Sequence, residues 1–255
     1  MLEDILSVYK ISISKTVKSI KECPFLIILT PIYFLLIEVF SYLSLKISFA
    51  GGNLLIGFVR PVGYALLISS YFQMLEDGII YKRINLKSLP GSFGRYFYQV
   101  YSVFFILIIL DYLLMGINTL GKLDIVLGII INVVFSSVSE GIYIEGDNGI
   151  SAFQEALVFM KENFIHWIVP TAIVIFGLEK ILVGTGNFYF SDNLLLQNIG
   201  NSINSFLRMG LDPARIGRIL IFEVILSAFA IFRYHMYKML RGSSIRKRKF
   251  QGIIW

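Results

Sequence analysis

Glu38, Arg60 and Asp111 stand inside long apolar stretches, as do Glu140 and Glu223 further along the chain. A charged side chain at the centre of a bilayer costs about 3 kcal/mol or more unless it is paired or hydrated, so such residues are the first candidates for function. Glu38, Arg60 and Asp111 fall at a shared depth in three successive apolar segments. Arg60 is therefore expected to hold Glu38 or Asp111 in an ion pair, and Pro61 beside it would free a backbone carbonyl. That cluster reads either as the floor of an outward-facing polar cavity or as a static clasp between helices. Glu140, after Ser136, Ser137 and Ser139, and Glu223, near the middle of the last apolar segment, could together bind a cation or relay a proton. Structural hydrogen bonding is the alternative for both.

The elements that must carry these residues are six apolar stretches, Pro24–Leu43, Leu54–Leu75, Val100–Ile117, Ile125–Ile144, Phe164–Val183 and Ile216–Met236. At roughly 18 to 22 residues, each is long enough to cross the hydrocarbon core as a helix. The expected fold is an all-α polytopic membrane domain over residues 1–240, followed by a basic tail, 241–255. A hydrophobic share of 56% with only 16% charged residues and a mean hydropathy of +0.74 agree, because soluble domains carry about a quarter charged residues. No connection exceeds about 35 residues, below the roughly 50 that an independent domain needs, so any chemistry lies in the bundle or at its surfaces.

Lys10, Lys15, Lys18 and Lys21 precede the first stretch, and Lys82, Arg83, Lys87 and Arg95 lie between the second and third. Basic residues also follow the sixth, whereas the first two alternate connections offer only Lys46 and Lys122. Short loops rich in Lys and Arg stay inside, which predicts cytoplasmic termini in the cell membrane. Arg208, Arg215 and Arg218 on the third outer connection run against that count. The first stretch begins too late and runs too long for a cleavable signal, so it is expected to remain as an anchor. The tail residues Arg241, Arg246, Lys247, Arg248 and Lys249 supply much of the net charge of +6. They are expected to contact anionic lipid headgroups; nucleic acid would need a folded reading surface, so none is expected.

Three further segments look amphipathic. Leu2, Ile5, Leu6, Tyr9, Ile13, Val17 and Ile20 recur at helical spacing over residues 1–22, predicting a helix along the inner membrane surface. Its role is open between an elbow that orients the first span and a lipid-sensing or partner-binding helix. Ile150, Phe153, Leu157, Met160 and Phe164 repeat the pattern ahead of the fifth span. Leu195, Ile199, Ile203 and Phe206 form an outer candidate, either a lid or a passive surface helix. Lys21-Glu22 and Lys161-Glu162 each precede a span containing a proline, Pro31 or Pro170, and GSFGRYFYQVYSVFF (91–105) also leads a basic aromatic segment into a span. A threefold build of two-span units is conceivable on that basis.

Gly149, Phe153, Ala156, Lys161 and Asn163, in GISAFQEALVFMKENFIHW, resemble the recurrent pre-span element of a group of bacterial polytopic proteins. These are the stand-alone relatives of the membrane domain that accompanies some glycerophosphodiester phosphodiesterases. The resemblance covers two or three such elements and implies an architecture of largely unassigned function, with no catalytic residue to carry over.

Enzyme signatures are sparse. The two histidines, His166 and His235, suit the membrane interface, and no His-Glu-x-x-His occurs, so neither a catalytic set nor a metal or other cofactor is expected. Gly116-Ile-Asn-Thr-Leu-Gly121-Lys122 has the spacing of a phosphate loop, but Leu123 replaces the required Ser or Thr. Any ATP-driven role would thus need a separate ATPase subunit. The single Cys23 reads as a reduced structural thiol. The expected function is a non-catalytic membrane subunit of a transport or export system, with a separate ATPase or permease as its possible partner. A self-contained membrane-organising, lipid-responsive or immunity-type protein is the alternative. An intramembrane lipid-acting enzyme, with Glu140 or Glu223 as acid or base, comes third.

Overall fold

A computed structural model describes residues 2–49, 53–117, 130–174 and 213–241, and these are mostly helical, without a strand among them. The helices are α1 (Leu2–Glu22), α2 (Leu26–Phe49), α3 (Asn53–Ile80), α4 (Leu89–Arg95), α5 (Phe97–Ile117), the single turn α6 (Val138–Glu140), α7 (Gly149–Thr171) and α8 (Pro213–Leu240). Three segments, Leu26–Ser44, Gly149–Val174 and Gly217–Leu240, are long and apolar enough to cross a membrane. The pair Leu89–Arg95 and Phe97–Leu110, bent by 46°, makes a fourth if it counts as one span. The chain is thus a helical membrane protein by length and composition. The outer amphipathic candidate around Leu195, and most of the loop signals near Lys122 and Arg208, lie outside the described residues.

The distribution of side chains on α2 shows the solvent for which the bundle is built. Its outward face carries Ile28, Ile32, Leu35, Leu36, Val39 and Leu43, all exposed, while its buried face holds Thr30, Tyr33, Glu38 and Ser41 among Phe34 and Ile37. An exposed aliphatic face over a partly polar interior would be costly in water and suits a lipid environment, where polar side chains bond across helices. Tyr33 hydrogen-bonds Ser70, Ser41 lies 2.7 Å from the Tyr64 hydroxyl, and Thr30 Oγ1 lies 3.1 Å from the Tyr71 hydroxyl. All three tie α2 to α3. Gly63 lets the two helices close up, since a Cβ there would run into the Phe40 ring, which is packed edge-on against Tyr64 at 5.4 Å. Gly63→Ala is expected to destabilise the bundle by about 1–3 kcal/mol through overpacking. Thermal unfolding in mild detergent would measure it, and an unchanged midpoint would argue that Phe40 swings aside.

Serines likewise seat the elbow between α3 and α5. Ser69 Oγ donates to the Ser92 carbonyl at 3.1 Å and accepts the Tyr96 N–H at 2.9 Å, while Ser70 and Ser92 hydroxyls meet at 2.6 Å. Such short side chains bring α4 against α3 and give the interrupted backbone a donor and an acceptor. Ion pairs pin the neighbouring ends, Lys82 to Glu22 at 3.1 Å and Arg95 to Glu76 at 3.1 Å.

α7 is two helices joined at Asn163, whose backbone leaves helical geometry (φ −126°, ψ 18°). Its first half buries Phe153, Ala156, Phe159 and Met160, and the run Gly149–Val174 as a whole is the segment long and apolar enough to cross a membrane. The Asn163 amide recaptures the Phe159 carbonyl at 3.2 Å. Seven residues on, Pro170 has no N–H to give His166, one turn earlier, and Tyr9 of α1 donates its hydroxyl to that carbonyl at 3.0 Å. A defect in one helix thus becomes a docking point for another.

Candidate functional site

The strongest concentration of buried charge lies where α6, α7 and α8 meet. The apolar run read as one span over Ile125–Ile144 is interrupted among the described residues. The Ser136 N–H turns back to the Val133 carbonyl at 3.4 Å, and regular turns resume only as the Gly141 N–H reaches Ser137 at 3.2 Å. Serine hydroxyls compete for backbone partners and favour such breaks; Ser136 Oγ bonds the Val133 carbonyl at 2.8 Å. The break leaves the Ser136 carbonyl available, and Arg233 of α8 donates to it. Arg233 also donates to Glu140 Oε2 at 2.7 Å, in an ion pair whose two side chains are both 0% exposed.

An aromatic wall closes the pair off. The Arg233 guanidinium sits over the Trp167 ring, 4.7 Å from its centroid, and the Trp167 N–H donates to Ser136 Oγ at 2.9 Å. Phe159 packs edge-on to Trp167 at 5.1 Å and stacks on Tyr237 at 4.6 Å. Arginine is suited to this place because its planar cation can stack and bond bidentately while remaining charged. Directly after Glu140 the chain forms a π turn, Gly141–Glu145, ended by Gly146 in the left-handed region (φ 80°), where glycine carries no Cβ penalty.

Glu223 is also fully buried, one turn before Ser227, whose Oγ accepts the Thr30 N–H at 3.1 Å. The Tyr71 ring connects the two acids: its hydroxyl, bonded to Thr30, lies within electrostatic range of Glu223, Glu140 and Arg233. Tyr143 is within range of Glu140, Arg233 and Tyr71 in turn. Glu140 and Glu223, singled out together from sequence, are both fully buried, and Arg233 is the ion-pair partner of Glu140. Arg233, Tyr71, Tyr143 and Trp167 join the site only in the structure. An arginine within the apolar run SAFAIF-Arg233 was the available signal, but nothing local names a partner so distant in sequence.

Glu38, Arg60 and Asp111 are arranged differently. Glu38 is 4% exposed, and neither of its carboxylate oxygens has a hydrogen-bond partner. Arg60 turns to Tyr64 one turn on, with Nε and Nη2 each 3.3 Å from its hydroxyl. No ion pair joins Glu38 to Arg60 among the described residues, and the Asp111 side chain lies outside them. Of the basic tail, Arg241 donates to Glu155 on α7 at 2.6 Å; Arg246, Lys247, Arg248 and Lys249 lie outside the described residues.

Both histidines hold α1. His166 Nε2 lies 2.9 Å from Asp4 Oδ2, and His235 Nε2 lies 2.9 Å from Ser19 Oγ. Below them Val8 joins Phe159, Met160, Trp167, Met236, Tyr237 and Leu240 in a second small core. That core sits beside the charged cluster, since Trp167 belongs to both. No group of three or more His, Cys, Asp or Glu side chains suited to a metal occurs among the described residues. Comparison with protein-family models, with curated proteins and with solved structures finds no match to this chain, so the buried Glu140–Arg233 cluster and its surroundings are what a functional reading has to stand on.

Proposed function

We propose that this chain is a non-catalytic membrane subunit of a transport or export system, a six-span bundle in the cell membrane with both termini on the cytoplasmic side. The observation that carries this reading is the buried Glu140–Arg233 pair, in which charges from different helices meet inside a bundle with an aliphatic outer surface. Replacing a buried ion pair with well-packed apolar groups is often neutral or stabilising, so stability alone gives little reason to keep one. Charges on a substrate or ion route do give a reason. The short connections and the surface halves of α1 and α7 suit docking of a separate ATPase or permease, and the basic tail suits anionic lipid.

A second reading, a self-contained lipid-responsive protein, draws on α1. Leu6, Ile13 and Val17 are exposed on it, with exposed Lys10, Lys18 and Lys21 beside them, as in helices that lie in a headgroup layer. Purification of the tagged chain from its native membrane in mild detergent, with mass spectrometry of every retained protein and lipid, separates the two. An ATPase or permease at near-stoichiometric yield is the expected result. Recovery of the chain with lipid alone would overturn the transport-subunit reading in favour of the second.

A further inference from the structure

We propose that Glu38 is a proton-binding site, holding one exchangeable proton and, once that proton leaves, taking the Arg60 guanidinium in its place. The proposal goes beyond the transport reading, since a proton binds whether or not a protein partner does. Its starting point is two opposite charges that the structure leaves apart. Glu38 lies on the buried face of α2, and both of its carboxylate oxygens are buried without a hydrogen bond. An ionised carboxylate with no donor in such a place is costly, and one proton removes that cost. Arg60, half-buried on α3, meets no acid among the described residues, yet a guanidinium keeps its charge in a protein. Its Nε and Nη2 rest instead on the Tyr64 hydroxyl. This is the arrangement expected with the proton on Glu38.

The two charges are within reach of each other. The Tyr64 hydroxyl that holds Arg60 lies 2.7 Å from Ser41 Oγ on α2, and Ser41 follows Glu38 by three residues, the spacing at which side chains on a helix are neighbours. Two hydrogen bonds thus separate the guanidinium from the turn that carries the carboxyl, a gap that rotation of a long arginine side chain can close. A route for the proton runs along α2 itself. Glu38, Tyr42 and Lys46 follow one another at four-residue steps, Tyr42 and Lys46 are exposed, and Lys46 Nζ sits over the Tyr42 ring at 4.6 Å. α2 packs on α3 and α8. The charged and titratable side chains described around this part of it are Arg60 and Tyr64 on α3, Glu223 and Arg218 on α8, and Tyr42 and Lys46 on α2. Arg60 is the cation joined to the Ser41–Tyr64 hydroxyls, which singles it out as the alternative partner. A bound metal cation fits less well, because it would need several oxygens at contact distance beside that guanidinium. In the step itself, a proton from water forms one O–H bond on a Glu38 oxygen; its return to water breaks that bond and leaves a carboxylate for Arg60.

The test is difference infrared spectroscopy of the purified full chain, carrying isotope-labelled arginine, in lipid nanodiscs titrated from acid to alkaline pH at fixed potassium. The wild type should lose a carboxylic-acid carbonyl band as pH rises, and a guanidinium band should shift over the same pH range. Glu38→Gln should abolish both signals, whereas Asp111→Asn and Glu223→Gln should keep them. Arg60→Gln should abolish the guanidinium shift and retain the acid band at a pH where the wild type has lost it, because no cation then receives the carboxylate. Absence of the carbonyl band from the wild type, or its survival unchanged in Glu38→Gln, would overturn the proposal, as would a response to sodium at constant pH in its place. A guanidinium shift that persists in Arg60→Gln would overturn the part given to Arg60. Should Glu38→Gln fail to fold, Glu38→Asp decides instead, since a band belonging to this side chain must then move in frequency. Recovery of the chain with lipid alone would remove the transport reading and leave these bands untouched.

Discussion

Arg233→Ala is expected to destabilise the protein by about 3–5 kcal/mol, the cost of leaving a buried carboxylate without its partner. Several losses coincide at this position. Glu140 and the Ser136 carbonyl each lose a charged donor, and the faces of Trp167 and Phe229 lose the cation above them. The unfolding midpoint in mild detergent, followed by tryptophan fluorescence, should fall steeply, or the chain should fail to accumulate. The companion variant Arg233→Met with Glu140→Gln removes both charges and keeps the volume. It should recover most of the loss, because a neutral pair of similar size carries no uncompensated charge. If the double variant were as unstable as Arg233→Ala, the stacking on Trp167 rather than the ion pair would be what holds α6 to α8.

Detachment of α1 is the second large effect. Asp4 and His166 are 3% and 8% exposed and meet at 2.9 Å, so Asp4→Ala strips a buried ring of its acceptor at the site where Tyr9 also bonds the His166 carbonyl. Hydrogen exchange over residues 2–22 should rise sharply in this variant, with the rest of the bundle protected. In a double-mutant cycle with His166→Ala, the coupling should be about 1–3 kcal/mol, as for residues in one hydrogen-bonded network. Additive effects would mean that α1 is held by Val8 and the second core rather than by the pair.

The sequence made the helices legible because hydrophobic length and period depend on local composition. α1 shows what that signal omits. Its apolar residues were read as a single stripe, yet Ile5 and Val8 are buried with Ser12, Thr16 and Ser19, while Leu6, Ile13 and Val17 stay exposed. Period shows that a helix has faces; only the partner decides which face it covers, and small hydroxyl residues let α1 approach closely. The break at Ser136 was hidden for a related reason, since a run of apolar residues has the same hydropathy whether or not its backbone continues. Glu140 and Glu223 could be picked out because buried acids are rare, but the partner of Glu140 could not, because Arg233 lies 93 residues further along the chain. Likewise Pro170 announced a missing N–H without revealing that Tyr9 would answer it.

A six-span bundle with cytoplasmic termini would set the depth of the Glu140–Arg233 pair, and site-directed cysteine labelling tests that arrangement most directly. In a Cys23→Ser background, single cysteines replacing Lys15, Arg83, Asp192 or Arg246 would be treated with a membrane-impermeant thiol reagent in intact cells and after permeabilisation. Labelling at Asp192 in intact cells, with Lys15, Arg83 and Arg246 reacting only once the membrane is opened, is the predicted pattern. Labelling at Lys15 or Arg246 in intact cells, or none at Asp192, would contradict it and move the Glu140–Arg233 pair to a different depth.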